Sequence, residues 1–285
     1  MIAVKLEGRL GNQLFQYAFI YAAAKRLKTG FYLDKSVEEF FPTKYFTIKN
    51  DILFPLDNRI FCISGYKNIF NIHIKKAFYK MLEQMVFGKK KIIISNEQPI
   101  SDALNKIVDG YMYQGYFQSE KYFVDCKEDI KAILTIKTRY IELFNEVNKN
   151  VPLLKKKVVI HIRRSDYVAQ DTTLPLAYYK QALNMVADEN AVYVFISDDS
   201  QFVKKQFEHI ENKYISDNSE IIDLQFLINA DVCILSNSSF SWWGAWLNSN
   251  KNKQVFAPKY WLGFKEQKEF PVGIANGLNF NWIQV

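Results

Sequence analysis

The 285-residue chain has only three cysteines, Cys62, Cys126 and Cys233. Their number is odd and their spacing wide. That excludes a disulfide framework and gives no metal-ligand spacing, so a reducing compartment is the simplest expectation. The chain also lacks an apolar run of the roughly 20 residues a membrane span needs. The nearest stretch, Leu14 to Ala24, is broken by Gln16 and flanked by Gln13 and Lys25. Its first residues, Met1-Ile-Ala-Val-Lys-Leu-Glu7, have no signal-peptide layout. No DNA- or RNA-binding signature accompanies the lysine runs Lys89–Lys91 and Lys155–Lys157. These read as solvated loops. The expectation is a cytoplasmic protein that touches an anionic membrane, if at all, through basic patches.

What is present is a normal globular mixture, 49% apolar and 24% charged, with a net charge of +7 and pI near 9.0. The length exceeds what one core usually organises, so two domains are expected. Aromatic residues are abundant at 16%. They suit either a core or sugar stacking. The positive balance suits an anionic ligand or surface.

The β-branched run Val158–Ile162 predicts a buried strand. It ends not in a turn but in four ionisable groups, His161, Arg163, Arg164 and Asp166. In open α/β sheets, ligands bind beyond the carboxyl ends of strands. Arginine is the side chain suited to bidentate phosphate contact. A phosphate-bearing ligand and a structural Arg–Asp ion pair both fit this exit. Period-two alternation puts His161 and Arg163 on one face and Arg164 on the other.

At the N-terminus, a strand at Ile2–Leu6, a loop from Gly8 to Gln13 and a helix at Leu14–Leu27 form the opening unit of a nucleotide-binding type of fold. Asn12 either aims its amide at a ligand or caps the helix, and capping is the first reading. A second strand is expected at Phe31–Asp34 and another at Ile92–Ile94. A basic helix is expected at Ile74–Met85, an aromatic strand near Tyr111, and a helix from Glu120 toward Leu143.

The second half alternates strictly. Strands at Val158–Ile162, Ala191–Ile196, Lys213–Ile215, Val232–Leu235 and Val255–Ala257 interleave with helices at Ala177–Ala187, Ser200–Phe207, Glu220–Ala230 and from Phe240. That order predicts a parallel, doubly wound sheet. Three exits are polar: the arginine pair, Ser197-Asp198-Asp199 and Ser236-Asn-Ser-Ser239. One sheet edge would gather them. Ser236–Ser239 precedes a helix, so it offers both an N-cap and an anion site. Asp198 and Asp199 suit ribose hydroxyls or a base edge better than a metal, because adjacent acids on extended chain point apart. The Trp242-Trp-Gly-Ala-Trp246 run reads as core, with Gly244 permitting close approach.

The segment Gly8-Arg-Leu-Gly-Asn-Gln-Leu-Phe-Gln-Tyr-Ala18 resembles the opening of the α-1,2-fucosyltransferases, glycosyltransferase family eleven. Gln114–Phe123, His161-Ile-Arg-Arg-Ser-Asp-Tyr167, Ile196–Asp199 and Ser236–Leu247 match in order, and the last block is the most specific. The His-x-Arg-Arg-x-Asp block is shared with α-1,6- and protein O-fucosyltransferases. Ser165 stands where Gly is more usual, which bears on loop conformation only.

The resemblance implies an α/β fold of GT-B type, two Rossmann-like domains facing across a cleft. Residues 1–152 would form the acceptor side and 153–285 the GDP-fucose side, with the last segment a candidate to pack back on the first domain. It implies metal-independent, inverting transfer of L-fucose from GDP-fucose to the 2-hydroxyl of a terminal β-galactoside, with no cofactor. Arg163 would grip the β-phosphate, with His161 near the nucleotide and Arg164 beside it. Asp199 would read the guanine, and Ser238 and Ser239 would bind phosphate oxygens. Arg9 and Asn12 would reach the cleft from the other domain. Asp166 is a candidate base or an orienter of Arg163, with Glu7 and Asp171 as alternative bases. Residues 35–110 would shape the acceptor pocket. The family points to surface polysaccharide precursors of a bacterium and a place at the inner face of its membrane. The alternatives are another GDP-sugar transfer, such as α-1,6-fucosylation, and a non-catalytic nucleotide-sugar or glycan binder.

Overall fold

Every strand pairing among the described residues is parallel, the consequence of strands separated by crossover helices. The computed structural model describes residues 1–49, 51–53 and 69–285. Cys62 and part of the expected acceptor-side segment lie outside them. The chain divides into two units, Met1–Thr135 and Ile136–Val285.

The first unit runs β1 (Ile2–Lys5), α1 (Leu10–Leu27), β2 (Phe31–Asp34), α2 (Pro42–Tyr45), α3 (Ile69–Val86), β3 (Lys91–Ile93), α4 (Ile100–Asn105), β4 (Met112–Gln114) and α5 (Lys127–Ile133). Its sheet has the order β2-β1-β4-β3. The chain leaves β1 toward β2 and later returns to β1's other side with β4, which makes the β1/β4 boundary a topological switch point.

Helix α1 starts at Leu10 rather than at the expected Leu14. Gly8, at φ +78, makes the turn, and the buried Leu10 and Gln13 already belong to the helix. The helix expected from Glu120 to Leu143 is not continuous. Two 3-10 turns, Glu120–Tyr122 and Val124–Cys126, precede α5, and Lys137 is extended before the next helix.

The second unit runs α6 (Thr138–Asn148), β5 (Lys156–Ile162), α7 (Ser165–Ala169), α8 (Leu176–Met185), β6 (Ala191–Ser197), α9 (Ser200–Gln206), β7 (Lys213–Ser216), α10 (Glu220–Ile228), β8 (Val232–Ile234), α11 (Ser239–Leu247), β9 (Gln254–Pro258) and β10 (Phe280–Ile283). Helix α6 belongs here because it packs on α10: Phe144 meets the Phe226 ring edge-on at 5.1 Å, and the Gln225 side chain donates to the Tyr140 carbonyl. The division therefore falls ahead of Pro152. The sheet order is β10-β9-β8-β5-β6-β7. From β5 the chain steps outward to β6 and β7, then crosses to β8 on β5's other side. β5 and β8 thus flank this sheet's switch point. Helix α7 and strand β10 were not legible as elements. The second is an edge strand that supplies the chain's last pairing, with β9.

Two contacts keep the β8 exit in place. The buried Tyr178 hydroxyl of α8 donates to the Leu235 carbonyl at 2.6 Å. Gly244 lets α11 lie directly on α10, since a Cβ there would sit 2.5 Å from the Leu227 Cβ. Trp242 and Trp243 are fully buried behind this crossing, as the tryptophan run predicts.

Candidate active site

The register sets three exits of the second sheet side by side. Ile160 lies opposite both Phe195 of β6 and Ile234 of β8. Each strand end therefore delivers its polar residues to the same edge.

His161, the penultimate residue of β5, is buried and shares a 2.8 Å hydrogen bond through Nδ1 with the Ser236 hydroxyl across the switch point. Its ring lies 5.3 Å from that of Phe240. Burial, followed by the charge of Arg163, pushes its pKa down to about 3. His161 is a neutral imidazole at physiological pH, so it hydrogen-bonds but carries no charge.

Arg163 leaves the strand end and is gripped twice. One terminal nitrogen donates to Asp166 Oδ1 at 2.5 Å, and the other faces Asp198 Oδ2 at 2.7 Å. The guanidinium sits 5.5 Å from the centre of the Tyr167 ring. Arg164 turns to different partners. Its Nε donates to Asp199 Oδ2 at 2.9 Å, its guanidinium covers the Phe202 ring at 3.7 Å, and its backbone N–H donates to Asp198 Oδ1. The adjacent acids serve different guanidinium groups, Asp198 that of Arg163 and Asp199 that of Arg164.

Burial works to raise the Asp198 pKa. The hydrogen bonds from the Ser165 side chain and the Arg164 N–H, with the Arg163 charge, outweigh it and hold the carboxyl below its ordinary value. Asp199 accepts from the Phe202 N–H at 3.0 Å and so caps α9. That bond, with the one from Arg164, holds its pKa down as well. The ion pairs expected at the arginine exit exist, and they fix where the arginines point. A guanidinium has five N–H donors, so two carboxylate contacts leave Arg163 capacity for an anion.

The third exit supplies a helix start. Ser238 is extended (φ −121, ψ 131) at the N-cap position of α11, yet its side chain makes no capping bond. The sequence reading of an ordinary serine cap is corrected here. The first backbone bond of α11 runs from the Trp242 N–H to the Ser238 carbonyl. The N–H groups ahead of it point out of the helix, where an anion is favoured. Tyr167 ties this exit to the arginines: its hydroxyl donates to the Asn237 carbonyl at 3.2 Å and also bonds the Ser238 side chain.

His161, Arg163, Arg164, Asp166, Asp198, Asp199 and Ser238 therefore form one connected edge, with Ser239 opening α11. Asp166 is half-exposed and braces Arg163. Asp171 is paired with Lys265. Sequence reasoning named Ser236 only as part of the polar exit and gave no role to Tyr167 or Asp223. The first two stand inside the quoted motifs; their partners become visible only when β5 and β8 are neighbours. Asp223, on α10, accepts from the buried Ser216 hydroxyl at 2.5 Å, and burial raises its pKa to about 7. An acid one turn into a helix gives no sequence signal for that.

Arg9 and Asn12 belong to the first unit, at the start of α1. Arg9 occupies the N-cap position without a side-chain capping bond. Asn12 lies inside the first turn, against Gly8, and accepts from the Gln118 amide at 2.8 Å. It is not the cap. At the β1/β4 switch point the Gln114 amide donates to Glu7 Oε1 at 2.5 Å, and Gln16 bridges the Glu7 N–H and the Gly115 carbonyl. Among the described residues no group of three or more His, Cys, Asp or Glu side chains is arranged to hold a metal ion.

The glycosyl transferase family 11 model matches residues 1–270. An α-1,2-colitosyltransferase of Escherichia coli is 29% identical over 288 residues, 95% of each chain. The O-antigen biosynthesis glycosyltransferase WbnK of Escherichia coli is 27% identical over 300 residues, covering 90% of this chain and 93% of that one. Among solved structures, the fucosyltransferase NodZ from Bradyrhizobium superposes with a TM-score of 0.51 at 13% identity, covering 86% of this chain and 92% of that one. This likeness is one of fold, and it makes the two parallel α/β units those of a GT-B fold. With nearly the whole sequence matched by the family model, the chain belongs to glycosyl transferase family 11.

Proposed function

We propose that the protein transfers L-fucose from GDP-fucose, with inversion, to the 2-hydroxyl of a terminal β-galactoside. The second unit binds the donor and the first binds the acceptor. The observation that carries this reading is Arg163, held by Asp166 and Asp198 beside the open start of α11. Breaking the fucose C1–O bond leaves negative charge on the departing GDP. Fixed cationic and N–H donors are the groups that stabilise such charge.

In this reading Arg163 contacts the β-phosphate, and the α11 N–H groups with Ser238 and Ser239 hold the phosphate oxygens. His161 lies against the nucleotide as a neutral hydrogen-bonding group. Arg164 and Asp199 border the donor site toward the base. Asp166 orients Arg163. Glu7 with Gln114, and Arg9 with Asn12, are the polar groups the first unit offers to acceptor hydroxyls. The surface polysaccharide setting of the WbnK relative fits an oligosaccharide acceptor of that kind.

A second reading concerns the donor. The colitosyltransferase relative makes the corresponding colitosyl donor a competitor for the same site. The test is incubation of the protein with GDP-fucose and lactose or N-acetyllactosamine, with a colitosyl donor in parallel, followed by linkage analysis. A 2-linked fucosyl galactoside is the expected product. Transfer of colitose alone moves the donor assignment. A different fucosyl linkage points to another transfer such as α-1,6, and neither transfer nor GDP-fucose hydrolysis leaves a binding protein.

A further inference from the structure

Ser238 has the backbone of a helix cap without its hydrogen bond. Its φ of −121 and ψ of 131 are those a capping serine adopts. Its carbonyl is already spent inside α11, on the Trp242 N–H and on the Ser241 hydroxyl, each at 3.1 Å. Only the side chain departs from the pattern. A cap would turn the Ser238 hydroxyl oxygen onto the N–H of Phe240 or Ser241, two and three residues further on. The buried Ser238 side chain bonds Tyr167 instead.

Tyr167, on α7, gives its own proton to the Asn237 carbonyl at 3.2 Å. Its oxygen is then left to accept from Ser238. The surroundings are held by other bonds. The Thr172 N–H donates to the Tyr167 carbonyl at 3.0 Å, and the Asn237 amide donates to the Thr172 carbonyl at 2.9 Å. Arg163 keeps Asp166 and Asp198, and the Tyr167 ring under it does not need the hydroxyl. Removing the phenolic oxygen alone leaves all of these in place. It releases only the Asn237 carbonyl and the Ser238 side chain.

We propose that Tyr167 is a positioning residue that keeps Ser238 from capping α11, so that the first N–H groups of the helix stay open to the donor phosphates. A serine side chain has three staggered positions, and the extended backbone of Ser238 already suits the capping one. Without the Tyr167 oxygen, the N–H groups of the first turn are the partners that remain for it. A capped N–H is no longer offered to an anion. The cap and the phosphate compete for the same donors, and Tyr167 settles the competition for the phosphate. The inference rests on the donor-site reading given above and names the residue that keeps that site open.

The test is calorimetric titration of the full chain with GDP, in the parent, Tyr167→Phe, Ser238→Ala and the double variant. These substitutions remove one oxygen each and add no atoms, and circular dichroism of each variant checks the fold. Tyr167→Phe is expected to weaken GDP binding by about tenfold, the worth of one N–H bond to a charged group. In the Ser238→Ala background no side chain is left to close the helix start. There the same substitution is expected to change affinity by less than about twofold, a coupling that two independent losses would not show. Unchanged affinity in Tyr167→Phe overturns the proposal. So does an equal loss with and without Ser238, which would mean that Tyr167 acts through Arg163 or the loop. A folded parent that binds no GDP overturns the donor-site reading itself, and this inference with it.

Discussion

Arg163 stands between two carboxylates, and its removal has two consequences that separate cleanly. In the proposed mechanism the transition state loses a fixed donor aimed at developing charge, a loss on the order of 10²–10³ in kcat where one such donor has been removed. Asp198 loses its partner while half-buried, which costs stability. Arg163→Ala is therefore expected to lower transfer by at least about a hundredfold and to lower the melting temperature, while its circular dichroism spectrum stays native. Retained activity would leave the strand exit a purely structural ion pair. The buried titratable groups make a second forecast. His161 has a lowered pKa, so the unfolded chain binds the extra proton, and its contribution is lost as pH falls from about 6.5 toward 3. Asp223 has a raised pKa, so the folded state binds the extra proton. Stability then falls as pH rises from about 4 to 7. The two effects oppose one another in the same window. Asp223→Asn removes one of them. Urea midpoints should show the variant equal to the parent near pH 4 and more stable above pH 7, by a few kcal/mol at most; parallel curves would mean that Asp223 is ionised throughout. His161, Arg163 and Asp166 were legible because β-branched residues ran straight into them. The partnership of Arg163 with Asp198 was not, since it depends on β6 lying against β5.

At the scale of elements, the crossing of α10 and α11 decides where the helix start proposed to hold the donor phosphates sits. A methyl group at Gly244 would meet the Leu227 Cβ at 2.5 Å, an atom next to backbone that cannot swing away. Gly244→Ala is expected to destabilise by about 1–3 kcal/mol. Any relief comes from moving α11, so donor KM should rise more than kcat falls. A substitution that lowers stability and leaves KM alone would show that α11 is fixed by its tryptophans instead, for example by the Trp242 indole bond to the Ile274 carbonyl. The second unit was legible almost element by element because buried parallel strands read as short apolar runs and its helices carry clear polar starts. The elements missed there were the marginal ones. α7 has five residues, none buried, and β10 alternates poorly as an edge strand. In the first unit the break between α5 and α6 was missed because Thr135 and Ile136 suit a helical period while their neighbour Lys137 is extended.

Across the whole molecule the charges are arranged against expectation for the proposed pyrophosphate site. The net charge is +7, yet the proposed donor edge sets Arg163 and Arg164 against Asp166, Asp198 and Asp199. The arginines alone do not make that edge positive. What remains to favour a diphosphate is directed rather than net charge: unspent guanidinium N–H donors and the start of α11. In the proposed donor-binding mode these donors face the phosphates directly and need no bridging cation. Transfer measured in excess EDTA is accordingly expected to match the rate without it. Loss of activity restored by magnesium or manganese would show that the acids of this edge, Asp198 first among them, serve a metal rather than the arginines. The same distinction predicts the salt response. Directed hydrogen bonds in a partly buried site are screened far less than exposed charges, so donor KM should move little between low and physiological salt. If donor KM instead rose steeply with ionic strength, the +7 field as a whole, and not the geometry around Arg163, would be what draws the nucleotide in.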